Sequence, residues 1–199
     1  MYLKRCNFEI EIYVIFLKAL LLRYKTVVIF ILTFSVVYGV LTITHKFYLQ
    51  FSTGTEYFPD YFTNLVAQQT EILLNNFGYK TVMIPHSNEP SIKIIVNDKY
   101  LARIIEGCNS LSVIILFASF IIAFSRKLKA AILYAFSGAV IIYVVNLFRI
   151  VVLSIGLYHY PEKEHILHTV VFPAIIYGIV FLLWLIWVNG FSKKKKKNE

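Results

Sequence analysis

AAILYAFSGAVIIYVVNLFRIVVLSIGLY, residues 130–158, is an apolar run whose only charge is Arg149. A helix needs about 20 such residues to cross the hydrocarbon core of a bilayer, so this run predicts a membrane span. A charge inside one is expensive and points to a functional site. Asn146 precedes the arginine by three residues, which on a helix puts both on one face.

Working outward, residues 26–44 and 166–188 read as two more spans. Residues 111–124 form a shorter apolar run directly before Arg126, Lys127 and Lys129. With Asn109 and Ser110 added at its start it can just cross, or the bilayer thins around it. Residues 8–22 carry Glu9, Glu11 and Lys18 among apolar neighbours, which predicts an interfacial amphipathic helix rather than a fifth span. No cleavable signal peptide is expected, because Lys18 interrupts this first apolar stretch and no small-residue cleavage motif follows. The chain is 58% hydrophobic with a mean hydropathy of +0.68, far outside the range of soluble domains. The expected fold is an all-α polytopic membrane protein of about four transmembrane helices with a small extracytoplasmic α+β loop subdomain. The expected order is an interfacial helix (1–25), a first span (26–45), the loop subdomain (46–107), spans at 108–124, 130–158 and 166–188, and a basic tail (189–199).

The net charge of +9 does not point to nucleic acid, because the basic residues sit at the ends of apolar runs. If the N-terminus is inside, thirteen of the 20 Lys and Arg fall on the inner side, including the run Lys193 to Lys197 against anionic lipid. The acidic residues lean outward. Both termini are therefore expected in the cytoplasm and the 46–107 loop outside. Within that loop, residues 56–76 read as a helix with an apolar stripe of Phe58, Phe62, Leu65, Val66, Ile72 and Leu73. TVMIP, SIKIIV and KYLARII read as short strands, with Asn97-Asp98 as a tight hairpin turn.

This topology delivers three reactive groups to one depth on the outer side. Cys108 stands where the second span begins. Arg149 lies about 19 residues into a span that starts inside, a rise of roughly 28 Å. His168 heads the last span. A neighbouring cation or a helix N-terminus favours a thiolate nucleophile. An imidazole supplies its base, and a guanidinium stabilises the oxyanion of a tetrahedral intermediate. Asn146 is expected to orient that guanidinium or add a donor, and Asn109 is a supporting neighbour of the cysteine. Each residue also has a plainer reading. Cys108 is then a small buried hydrophobe, Arg149 a snorkelling side chain or a lipid-phosphate contact, and His168 a helix cap. His165, three residues earlier, is the rival base. His45, His86 and His159 are assigned to the surface. Cys6 lies on the opposite side from Cys108, so no disulfide joins them, and the lack of a second outer cysteine disfavours thiol redox chemistry. No metal site and no cofactor are expected.

The order of these elements is similar to the exosortase/archaeosortase family of membrane cysteine transpeptidases. The resemblance rests on Cys108-Asn109-Ser110 before an apolar span, Asn146 and Arg149 late in the next, and His168 at the head of a later one. The segments EGCNSLSVIILF, NLFRI and HTVVFPAIIYGIVFLLW resemble the short exosortase F-type branch. The resemblance implies a bacterial inner-membrane enzyme with its site facing the periplasm. Its partners would be exported proteins ending in a short motif, a transmembrane helix and a basic cluster, which it cleaves and transfers to an acceptor. Cys108 would be the nucleophile, Arg149 the transition-state stabiliser and His168 the general acid/base. Two departures stand out: family members typically have more spans, and Asn109 follows the cysteine where a small residue is usual. The competing reading is a non-catalytic membrane assembly partner that binds anionic lipid or an acidic partner through Arg149.

Overall fold

The computed structural model describes residues 22–52, 58–125 and 127–196, with side chains to residue 190. The interfacial helix expected at 8–22 lies outside these, Leu22 apart. Three helices are long and apolar enough to cross a membrane, and a fourth is apolar but short. The polytopic membrane architecture is thereby established, with a small three-stranded sheet beside it.

Helix α1, Lys25–Ser52, rises about 42 Å and outruns the span read at 26–45. No glycine or proline falls between His45 and Ser52 to stop it, so the predicted loop unit begins inside the helix. Helix α2, Tyr61–Asn76, starts later than expected because Asp60 caps it, accepting from the Thr63 amide at 3.1 Å. Its buried face is Thr63, Val66, Ala67, Thr70 and Leu74, while Ile72 is exposed. The stripe read from hydrophobicity alone missed the two threonines. Thr70 can be buried because its hydroxyl donates to the Val66 carbonyl at 2.7 Å.

The strands β1 (Thr81–Pro85), β2 (Ser91–Val96) and β3 (Lys99–Ile105) pair antiparallel in that order. Asn97 and Asp98 connect β2 to β3 with φ of 48° and 63°. Both central residues thus have the positive φ of the tight hairpin turn that their sequence predicts. The sheet buries Ile92, Ile94, Val96 and Ile104 against Val66 and Leu74 of α2. Leu147, Ile150 and Val151 complete the same core. They belong to α4 (Leu128–His159), whose C-terminal half thereby packs with the sheet and α2.

Helix α3, Leu111–Ala123, does not extend back through Asn109 and Ser110 as expected. Ser110 is left-handed, with φ of 62°, which ends any continuous helix there. The Asn109 side chain instead accepts from the Leu111 amide at 3.0 Å. The helix therefore rises only about 20 Å. It packs closely on α4: a Cβ added to Gly138 would overlap the ring of Phe117, which is itself buried. Gly138→Ala is expected to destabilise the helical domain by about 1–3 kcal/mol, since overpacking forces the ring or backbone to move. Thermal unfolding in detergent measures this, and an unchanged midpoint would contradict the close approach. The last helix, α5, is Phe172–Lys196. A 3₁₀ turn (Pro161–Lys163), one α-turn (Glu164–Ile166) and a π-helical turn (Leu167–Val171) lead into it.

Candidate functional site

Four elements meet around Cys108. The half-buried cysteine closes a 3₁₀ turn, Glu106–Cys108, at the exit of β3. It therefore does not begin the helix, contrary to expectation, because the left-handed Ser110 intervenes. The next residue, Asn109, is buried, and its Nδ2 donates to the Thr63 hydroxyl of α2 at 3.2 Å. From α4, the fully buried Asn146 donates its Nδ2 to the Cys108 carbonyl at 2.7 Å. The sequence suggested that Asn146 would orient the guanidinium or add a donor; the bond it makes here is to the backbone of the cysteine. The other amide atom, Oδ1, is buried with no hydrogen-bond partner among the described residues.

Arg149, one turn further along α4, has its guanidinium over the Phe172 ring at 5.3 Å. The Cys108 thiol and the Tyr177 hydroxyl lie within its electrostatic reach. Its Nε is buried and without a hydrogen bond among the described residues, where the one ion pair is Arg103 with Glu89. Among the described residues no carboxylate pairs with this guanidinium.

His168 is exposed and sits in the π-helical turn before α5. Such turns often mark functional sites. Its ring meets that of Phe172 edge to face, 5.5 Å between centroids. Among the described residues no hydrogen bond joins His168 to Cys108; the histidine reaches the group through Phe172. His165 is exposed, one turn earlier. His159 is exposed and hydrogen-bonded to Tyr79 at 2.9 Å. His86 and His45 are partly buried, and His45 stacks near Tyr48. Phe172 and Tyr177 were not singled out from sequence. The signal for Phe172 was its spacing: in HTVVF it follows His168 by four residues, the separation at which helical side chains touch.

The sequence profile of the transmembrane exosortase family (Exosortase_EpsH) matches residues 9–189. The chain belongs to that family. Comparison with curated proteins and with solved structures found no match. The match covers every element of the site and extends well beyond the half of the chain that carried the sequence resemblance. This exosortase is a multi-pass membrane protein of transpeptidase type, and its family's substrates are exported proteins with C-terminal sorting signals.

Proposed function

We propose that this exosortase cleaves the C-terminal sorting tail of an exported protein through a thioester on Cys108 and passes the new carboxyl terminus to an acceptor. His168 takes the thiol proton, and the thiolate attacks the scissile carbonyl carbon, forming a C–S bond. The carbonyl electrons move to oxygen, where Arg149 stabilises the charge in a low-dielectric site. Collapse re-forms the carbonyl and breaks the C–N bond, and the leaving amine takes its proton from His168. An acceptor amine, hydroxyl or water then attacks the thioester, gives its proton to His168 and expels the thiolate. The observation that carries this reading is that one helix supplies both Arg149, which no carboxylate pairs with among the described residues, and Asn146, which holds the Cys108 carbonyl at 2.7 Å.

The test is capture of the intermediate. Membranes holding enzyme and a tailed substrate, quenched in acid, should contain a covalent adduct that hydroxylamine releases and that is missing in Cys108→Ala. A tailed substrate processed without any such adduct would sink the thioester.

The bias of basic residues supports placing both termini in the cytoplasm of a bacterial inner membrane, with the site facing the periplasm. An impermeant maleimide added outside should label a cysteine introduced at residue 88 and not one introduced at residue 198. The reverse pattern would invert the topology.

A further inference from the structure

We infer that Phe172 is a positioning residue of this exosortase, holding the guanidinium of Arg149 on its face while its ring also meets His168. The inference rests on the proposed roles of those two residues. Two polar groups from separate helical segments converge on this one ring, at 5.3 Å and 5.5 Å. No other contact among the described residues links them.

The ring is suited to the task. Phe172 is 2% exposed and clusters with Leu153 and Leu157 of α4, and Ala102 of β3 and Leu167 pack against that cluster. Its position is thus set by α4, by the strand that leads to Cys108, and by the π-helical turn that carries His168. Arg149 has few polar anchors: its Nε is buried without a hydrogen-bond partner and no carboxylate pairs with it among the described residues. Holding the guanidinium in one orientation beforehand spares the reaction the cost of ordering it. A cation over an aromatic face is held by the ring quadrupole, and burial strengthens the attraction. Phenylalanine has no hydrogen-bonding group, so it orients the guanidinium without occupying the N–H groups that an oxyanion needs. An aspartate or glutamate there would occupy them.

The test changes the quadrupole and keeps the shape. Phe172 is replaced in the full-length enzyme by 4-fluoro-, 3,5-difluoro- and pentafluorophenylalanine, and tail cleavage in membranes is normalised to abundance and to the thermal midpoint. Cys108→Ala is run beside them. The expected result is a stepwise fall in rate with fluorine content, reaching about tenfold, at an unchanged midpoint. A ring that only fills space gives a flat series, and that result, with Cys108→Ala inactive, overturns the positioning role and leaves the thiol mechanism standing. Activity surviving in Cys108→Ala overturns the thiol mechanism and this inference together. If the pentafluoro protein fails to accumulate, the monofluoro and difluoro members decide the slope.

Discussion

Cys108→Ala and Cys108→Ser are expected to abolish tail cleavage while the protein still accumulates in the membrane. In the proposed mechanism the thiol sulfur forms the acyl bond, so its removal takes away that covalent route. The serine variant is the sharper of the two. A hydroxyl fits the same space, but it is a far weaker nucleophile near neutral pH than a cysteine sulfur. The fold should tolerate either change. The polar contact holding this turn to α4 is made by the Cys108 carbonyl, which both variants retain. Cys6→Ala, by contrast, should be silent. Cleavage of a tailed substrate by Cys108→Ala at the wild-type rate would remove the cysteine from the mechanism.

Arg149→Lys is expected to be folded and slow by about two orders of magnitude or more. Loss of one donor to an oxyanion typically costs about 10²–10³ in rate, or roughly 3–4 kcal/mol. Lysine keeps the charge, so a residue needed only for topology or for holding a lipid phosphate should survive the exchange. An ammonium does not reproduce the planar fork, nor can it stack on an aromatic ring as a guanidinium can; that of Arg149 stands over Phe172. His168→Ala should be comparably impaired and His165→Ala much less so. The three variants are compared by tail cleavage in membranes, normalised to enzyme abundance. Near-normal turnover by Arg149→Lys would favour the lipid-binding or partner-binding role. A severe defect in His165→Ala with an active His168→Ala would move the acid/base function by one helical turn.

The long spans were legible because hydrocarbon imposes a length and an apolar composition that sequence displays directly. The hairpin was legible because Asn97 and Asp98 tolerate the positive φ that a two-residue turn demands. The helix ends were harder. Nothing in the hydropathy shows that α1 continues to Ser52, since a helix leaving the membrane needs no change of backbone. The left-handed Ser110 was also hidden, because serine is not a residue type that announces such a conformation. Its effect is large: it shortens α3 and moves Cys108 off the helix. Spacing alone put Asn146 and Arg149 on one face, but it could not show which neighbour each would meet. The partner of Asn146 proved to be a main-chain carbonyl, a group that every residue carries and no pattern marks. Phe172 was concealed for the opposite reason, as one aromatic residue among many in an apolar run.

The short α3 has a consequence for the shape of the membrane around the enzyme. A helix of 13 residues rises about 20 Å, against roughly 30 Å of hydrocarbon. In the proposed topology its C-terminal end, next to Lys127 and Lys129, would be anchored at the cytoplasmic headgroups. Its N-terminal end would then fall about 10 Å short of spanning the hydrocarbon, and the turn before it carries the polar side chains of Asn109 and Ser110. On that topology the bilayer would thin around α3, drawing the opposite headgroups in towards Cys108. A sorting tail cleaved at Cys108 would then have to leave its own helix before the bond to be cut, so flexibility around the cleavage motif would become a requirement on the substrate.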